Sequence, residues 1–214
     1  MARILPFEQH LDEYENWFVK NHWAYQSEIR AIRELLPAGL GLEIGVGSGL
    51  FARPLGIRFG VEPSPKMMRM ARNRGIKIVR GIAEQLPLKR ATFDLALMVT
   101  TVCFLDDVPA AFAEAARVLK ADGAFLVAFI DRESPLGRTY QKFKAQNVFY
   151  RHADFYSVRE LLAFLRQAGF TRFDFRQTIF KPLPDIGQEE PVRSGFGQGS
   201  FVVIKASFHE EKNP

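Results

Sequence analysis

The residues with the clearest chemical potential form a glycine-rich turn, Gly45-Val46-Gly47-Ser48-Gly49, directly after a short apolar segment. Glycines at such a turn let the backbone bend tightly and approach a ligand without a Cβ in the way. Glu43 lies just before the turn, and Glu62 ends the next apolar segment. A carboxylate at the end of that second segment can accept hydrogen bonds from both ribose hydroxyls of a nucleoside lying over the glycines. The pattern therefore predicts a nucleoside-binding site.

The spacing of the glycines argues against a dinucleotide site. The dinucleotide fingerprint is G-x-G-x-x-G, whereas here Gly49 comes one residue early and position 50 is leucine. An NAD-type oxidoreductase is therefore disfavoured. A second run of alternating glycines, at 195–199, precedes an apolar segment that is not helical in pattern, and we interpret it as a flexible loop.

The elements that must position these residues alternate along the chain. Apolar segments predict strands at 40–45, 57–61, 76–80, 94–100, 124–130, 171–179 and 200–207. Helices are predicted at 64–75, 107–120 and 157–168, with one or two more over 11–36 and a brief one within 47–55. Strands that are apolar throughout and alternate with helices indicate a parallel sheet covered on both faces. Ligands in such sheets bind at the carboxyl ends of the strands, where the glycine turn lies.

Composition and charge narrow the class of protein. The 214 residues fit one domain, 1–214, with 47% hydrophobic and 25% charged residues. A single cysteine, Cys103, and the lack of an apolar run of about 20 residues predict a cytoplasmic protein with no membrane span. The net charge is +5, but Lys and Arg are not interleaved with aromatics, so a nucleic-acid partner is not favoured. No set of His, Cys and carboxylates has metal-ligand spacing, so no metal is predicted.

Residues 38–131 resemble the class I S-adenosylmethionine-dependent methyltransferases, and residues 157–207 continue the resemblance as a helix and two strands. The segment 41–75 reads GLEIGVGSGLFARPLGIRFGVEPSPKMMRMARNRG and resembles motif I and its sequel. The segment 79–130 reads VRGIAEQLPLKRATFDLALMVTTVCFLDDVPAAFAEAARVLKADGAFLVAFI and continues the pattern. The chain is similar to the subfamily that includes the ubiquinone and menaquinone biosynthesis methyltransferases.

The resemblance implies a fold and a cofactor. The fold would be α/β, a Rossmann-like doubly wound sheet of seven strands in the order 3-2-1-4-5-7-6, mostly parallel with an antiparallel edge strand. The cofactor would be S-adenosyl-L-methionine, released as S-adenosyl-L-homocysteine. The residues that the resemblance assigns to the cofactor are Glu43, Gly45, Val46, Gly47, Gly49, Glu62, Pro63, Ser64, Ala83, Glu84 and Thr100.

Each of these residues has an implied role. Glu43 would order the turn and the methionine amino end, and the turn itself would line the cofactor backbone. Glu62 would hold the ribose, with residues 63–64 and 83–84 beside the adenine. Thr100 would contact the methionine end through its backbone. Many relatives carry aspartate where this chain has Ile82.

The sequence predicts only the class of molecule that accepts the methyl group. We expect a small molecule, held by an N-terminal helical cap (1–36) and a polar, basic and aromatic lid (132–156). The alternatives are a module that binds S-adenosylmethionine without catalysis, and an RNA or protein methyltransferase. A general base is needed only if the acceptor arrives protonated. The candidates for catalysis are His152 with Asp154, His10 and Tyr25.

Overall fold

The computed structural model describes residues 4–208 of the chain, and its centre is a mostly parallel β-sheet. The strands are β1 (Gly41–Ile44), β2 (Phe59–Glu62), β3 (Lys77–Arg80), β4 (Phe93–Val99), β5 (Leu119–Ile130), β6 (Arg172–Thr178), β7 (Arg193–Ser194) and β8 (Phe201–Ser207). Their order in the sheet is β3-β2-β1-β4-β5-β8-β6-β7. The strands from β3 to β5 pair in parallel, and β8 runs antiparallel to both of its neighbours.

The predicted fold class is confirmed, with one additional strand. The seven predicted strands occur in the predicted order, and the two-residue β7 adds to the edge beyond β6. Sequence could not indicate β7, because two residues in a Pro- and Gly-rich loop carry no apolar pattern. The long final loop otherwise behaves as predicted and lets β8 insert antiparallel between β5 and β6.

Seven helices accompany the sheet in the part of the chain that the structure describes. They are α1 (Leu5–Gln9), α2 (Leu11–Lys20), α3 (His22–Arg33), α4 (Pro65–Asn73), α5 (Val108–Val118), α6 (Pro135–Phe143) and α7 (Val158–Gln167). The N-terminal part therefore forms three short helices rather than one or two. The brief helix predicted within 47–55 is wrong, because that segment forms successive turns.

Capping side chains begin the helices that the sequence predicted. The Ser64 hydroxyl accepts a hydrogen bond from Met67 N at 3.2 Å, with Pro65 in the first helical position of α4. Ser157 and Glu160 form a reciprocal capping box at the start of α7. Each cap satisfies backbone groups that would otherwise lack partners, so each fixes where a helix leaves the sheet.

The sheet buries a hydrophobic core on each face, because side chains alternate along every strand. Phe125 and Val127 of β5 pack on the face covered by α5 and α7. Leu126 of the same strand packs on the opposite face, with Ile29 and Ile32 of α3. This two-sided burial explains why the central strands are apolar throughout. None of the described helices is long and apolar enough to cross a membrane.

Candidate functional site

A cavity of about 1020 Å³ lies at the carboxyl ends of β1, β2 and β4. One part of its wall comes from the loops after these strands and after β3: Gly45, Gly47, Glu62, Pro63, Ile82, Ala83, Glu84 and Thr100. The rest comes from α1, α2, α3, α6 and the segments 147–150 and 180–186. The predicted cap and the predicted lid thus both contribute to the wall.

Strand register places the glycine turn beside Glu62. Ile44 of β1 pairs with Val61 of β2, and the Val61 carbonyl accepts hydrogen bonds from Gly45 N at 2.9 Å and Val46 N at 3.1 Å. The turn that leaves β1 is therefore held against the end of β2, and Glu62 is the next residue along. Two segments that are 15 residues apart in sequence meet for this reason.

Glycine is required by the conformation of the turn. Gly45, Gly47 and Gly49 have φ angles of +70°, +54° and +85°, which side chains rarely adopt. A Cβ on Gly45 would lie 2.6 Å from Oγ1 of Thr101, and one on Gly47 would lie 3.1 Å from the hydroxyl of Tyr14. Both the backbone conformation and these close neighbours therefore require glycine at the turn, and Gly45 and Gly47 line the cavity.

Glu62 is held in place by backbone amides of the turn. One carboxylate oxygen accepts from Gly47 N and the other from Ser64 N, both at 2.9 Å. Burial raises the pKa of Glu62 to about 7. Each carboxylate oxygen has two lone pairs, so both oxygens can still accept from the hydroxyls of a ribose.

Glu43 lies beneath the turn and outside the cavity wall. It is buried, and it accepts a hydrogen bond from the backbone of Ala52, while its Oε2 has no partner among the described residues. Burial raises the pKa of Glu43 well above its usual value. The unpartnered oxygen next to a bare glycine turn fits a site built for a ligand with hydrogen-bond donors.

Three other residues that the resemblance assigns to the cofactor do not line the cavity. Val46 packs under β2, where a Cβ on Gly60 would lie 2.6 Å from its Cγ1. Gly49 lies against Ala71 and Ile76. Ser64 caps α4 and is fully buried. They shape the site without forming its wall.

The residues beside the predicted adenine position line the cavity. Pro63, Ile82, Ala83 and Glu84 all contribute. The Glu84 carboxylate accepts from Asp106 N at 2.9 Å, so it also fixes the loop after β4. Ile82, in the place of the aspartate of many relatives, offers an apolar surface that is 39% exposed.

Thr100 follows β4 in a left-handed conformation, with φ of +48°. A β-branched residue seldom adopts this conformation, and such residues concentrate at ligand sites. Its N–H donates to Ala128 O at 2.8 Å, and the next residue, Thr101, donates its hydroxyl to Gly45 O at 3.2 Å. The loop after β4 is therefore tied to the glycine turn.

The predicted catalytic side chains do not come together at the cavity. His152 and Asp154 are exposed and lie outside its wall. His10 also lies outside the wall, and its ring nitrogen pairs with the carboxylate of Glu13, a wall residue, at 2.7 Å. The Tyr25 hydroxyl donates to Leu50 O and does not reach the wall either. Within residues 4–208, no group of three or more His, Cys, Asp or Glu could hold a metal ion.

Glu28 is a wall residue that the sequence interpretation missed. It lies on α3 with its side chain in the cavity wall and is only 4% exposed. Its neighbours at helical spacing, Ala24, Ala31 and Ile32, are all buried. A carboxylate on the apolar face of a helix was the available signal, because such a residue is seldom buried without a function or a partner.

Comparisons with known proteins agree with this geometry. A family model described as a methyltransferase domain matches residues 42–127. The chain is 40% identical over 200 residues to an uncharacterized protein of Methanocaldococcus jannaschii, covering 94% of this chain and 97% of that protein. It is 26% identical over 189 residues to a demethylmenaquinone methyltransferase of Tropheryma whipplei, covering 74% and 77% of the two chains. This lower identity supports the predicted subfamily only distantly.

A solved structure is also closely similar. A Thermotoga maritima protein, described as an S-adenosylmethionine-dependent methyltransferase and possible histamine N-methyltransferase, has a TM-score of 0.93 and 50% identity. The match covers 94% of this chain and 97% of that one. Together with the bare glycine turn and the carboxylate of Glu62, these matches establish the family and the cofactor. The chain belongs to the class I S-adenosylmethionine-dependent methyltransferases, and S-adenosylmethionine is its cofactor.

Proposed function

We propose that the protein transfers the methyl group of S-adenosylmethionine to a small molecule bound beside the cofactor. The observation that carries this proposal is the single continuous cavity, whose wall extends from the glycine turn to α3 and α6. Its volume of about 1020 Å³ is at the upper end of the range for small-molecule pockets, roughly 300–1,000 Å³. That volume leaves room for a second ligand next to the cofactor.

The cofactor-binding roles of individual residues form part of this proposal. Gly45 and Gly47 would let the methionine portion approach the backbone, and Glu62 would accept hydrogen bonds from the ribose hydroxyls. The adenine would lie between Pro63 and the segment 82–84. Thr100 would present its backbone to the methionine end, as its place in the wall allows.

The sulfonium of the bound cofactor supplies an activated methyl group, so the protein has mainly to align the acceptor and exclude water. Aromatic side chains close much of the cavity. Phe7 of α1 contacts Phe104 and Phe149, with ring centroids 5.1 Å and 5.6 Å apart. These contacts join the N-terminal cap to the lid, and they would keep water from the reacting atoms.

This enclosure favours a small acceptor over RNA or a protein. α1, α2 and α6 all line the cavity, so a macromolecule would have to displace several packed aromatic rings to reach the cofactor. The description of the Thermotoga maritima protein as a possible histamine N-methyltransferase points to a small acceptor in that relative.

Isothermal titration with S-adenosylmethionine and S-adenosylhomocysteine tests the proposal, with a matched pair of glycine variants. Gly47→Ala places a methyl group in the cavity and is expected to weaken binding by about tenfold or more, which is about 1.4 kcal/mol. Gly56→Ala is the control, because Gly56 also has a positive φ, +74°, but a Cβ there meets nothing within 4 Å. Both variants carry similar backbone strain, and only the methyl group of Gly47→Ala lies at the cavity, 3.1 Å from the hydroxyl of Tyr14.

The control variant is expected to bind both ligands as the wild type does. A wild-type protein that bound neither ligand would overturn the proposal. Equal affinities in Gly47→Ala and Gly56→Ala would mean that the cofactor lies elsewhere. If the cofactor bound but no methyl transfer to any small molecule of a metabolite extract could be detected with labelled S-adenosylmethionine, a binding module without catalysis would replace the proposed enzyme.

A further inference from the structure

Glu28 is a buried carboxyl group whose surroundings provide no counter-charge. It lines the cavity from α3 and is 4% exposed. Burial alone raises the pKa of Glu28, to about 8, and no hydrogen-bond donor or cation of the described residues opposes this shift. A carboxyl group without a partner in an apolar wall destabilises the fold whenever it is ionised. The residues one helical turn away from it, Ala24, Ala31 and Ile32, are buried and apolar, so helix packing at this position does not itself require a carboxylate.

Aromatic rings surround the same part of the cavity. Trp17 and Tyr140 are hydrogen-bonded to each other and both line the wall. The rings of Tyr140 and Tyr150 lie 4.9 Å apart, and the Tyr150 ring stacks on Phe104 at 6.2 Å. The carboxyl of Glu28 interacts electrostatically with both Tyr140 and Tyr150. The faces of such rings attract a cation.

We propose that Glu28, with Trp17, Tyr140 and Tyr150, forms the acceptor subsite and binds a small organic amine. This inference rests on the proposed function, because it names the substrate class of the same cavity. A protonated amine would supply the counter-charge that Glu28 lacks and would lie beside the aromatic rings of the wall at the same time. Charge-assisted hydrogen bonds from an ammonium to a carboxylate out of water are among the stronger polar contacts in proteins.

The positively charged residues of the cavity wall are not positioned to bind an anionic acceptor in place of an amine. Lys20 is exposed at the end of α2, and Lys181 is 57% exposed and lies 3.8 Å from Glu190. Neither pairs with Glu28. An anion that reached the rings would meet the buried carboxyl without a compensating cation, so this part of the cavity selects against negative charge.

The subsite also accounts for how an amine becomes reactive. A nitrogen accepts a methyl group only through a free lone pair, which an ammonium lacks. The carboxylate of Glu28 would be the group that takes one proton from the bound ammonium and leaves a neutral nitrogen. The nitrogen then forms the new bond to carbon, the carbon–sulfur bond breaks with its electron pair remaining on sulfur, and the positive charge passes to nitrogen.

The test measures the binding of matched amines and alcohols to the protein saturated with S-adenosylhomocysteine. Benzylamine, phenethylamine and tryptamine are each compared, by calorimetry and thermal shift, with the alcohol of the same skeleton. We expect at least one amine to bind about tenfold or more tightly than its alcohol, and Glu28→Gln to abolish the difference. Glu133→Gln, at an exposed position outside the cavity, is the control and is expected to keep it.

The outcomes separate this inference from the proposed function. Binding of S-adenosylhomocysteine to Glu28→Gln with wild-type affinity, together with loss of the amine preference, supports the subsite. If the wild type binds S-adenosylhomocysteine but prefers none of the amines, or if Glu28→Gln retains the preference, the subsite is wrong and the cofactor site stands. If the wild type does not bind S-adenosylhomocysteine, the proposed function is wrong, and the subsite inference that rests on it is wrong as well.

Discussion

Glu28 illustrates how a single buried carboxyl group can oppose folding. In the unfolded chain its carboxyl group ionises near the ordinary value of 4.5, whereas burial raises the pKa in the folded protein to about 8. Between these two values the folded state holds a proton that the unfolded state has lost. The free energy of unfolding therefore falls as pH rises through this window.

We expect Glu28→Gln to stabilise the free protein at alkaline pH. Glutamine has the same shape and never ionises, so the variant avoids the cost of a buried charge. One pKa unit corresponds to about 1.4 kcal/mol, and allowing for relaxation around the site we expect a gain of about 2–5 kcal/mol at pH 9. Below pH 4.5 the two proteins should have equal stability. Denaturant titrations across the pH range measure the difference.

The titratable groups around Glu28 do not disturb this comparison. They are the phenols of Tyr25, Tyr140 and Tyr150, whose pKa values are all raised by burial and so lie above the window. Glu133→Gln, at an exposed position, is expected to show no gain. A Glu28→Gln protein with wild-type stability at both pH 4.5 and pH 9 would contradict the prediction.

Residues whose role depends on local sequence could be predicted, and residues whose role depends on distant elements could not. Gly45, Gly47 and Glu62 follow from a turn and a strand end that are close in the chain. Glu28 acquires its environment from α2, α6 and the segment 147–150, which no local pattern brings together. His152 and Tyr25 were interpreted by residue type alone, and the structure places both outside the cavity wall.

At the scale of elements, Arg74 joins three segments around the cofactor site. It ends α4, forms an ion pair with Glu15 of α2, and donates to the carbonyl of Ser48 in the glycine turn at 2.8 Å. The guanidinium and Glu15 are each 21% exposed, so the pair is shielded from solvent. A bidentate contact of this kind holds a helix more firmly than a surface ion pair does.

We expect Arg74→Ala to loosen the glycine turn and α2 together. The variant removes charge-assisted hydrogen bonds worth about 1.5–3 kcal/mol in comparable sites. Part of this loss should appear as lower stability and part as weaker binding of S-adenosylhomocysteine, by roughly three- to thirtyfold. Calorimetry on Arg74→Ala and on Arg72→Ala, an exposed arginine of the same helix, measures the effect. Equal losses in both variants would show that the contact does not support the site.

The elements themselves were largely predictable because their signals are local. Ser64 and Ser157 cap α4 and α7 as expected, and Gly75 and Gly169, which follow these helices, both have positive φ angles. The N-terminal helices were predicted less accurately. His10 and Asn21 break them into three, and neither residue is a strong helix terminator in sequence. Their arrangement depends on packing against α4 and the glycine turn.

At the scale of the whole molecule, the order of the strands determines where the site lies. The sheet places β1 between β2 and β4, so the loops after these three strands meet at one edge. The resemblance of residues 41–130 to the family was enough to predict this arrangement. It could not predict the second half of the wall, because α1, α2 and α6 lie outside the segments that carry the resemblance.

The helices α1 and α2, which cover the cavity, bury few of their residues. α1 contains no buried residue, and Phe18 is the one buried residue of α2. Besides the polar contacts of Glu8 and Glu15 with α4, they contact the rest of the protein through aromatic rings that also line the cavity, such as Phe7 and Tyr14. Elements with few buried apolar contacts open at low free-energy cost. Such opening would widen the access of ligands to the cavity.

We expect S-adenosylhomocysteine to slow amide hydrogen exchange in α1 and α2 more than in α7. A ligand lying on the glycine turn would contact Tyr14, whose hydroxyl lies next to the bare backbone of Gly47, and would give these helices a surface to pack against. When the concentration of free ligand is a hundred times the dissociation constant, binding adds about 2.7 kcal/mol of stability. This free energy corresponds to amide exchange that is about a hundredfold slower. α7 packs against α5 on the opposite face of the sheet and serves as the internal reference. If α1 and α2 exchanged at the same rate with and without ligand, these helices would not close over the cofactor, and the acceptor would have to reach it through another part of the wall.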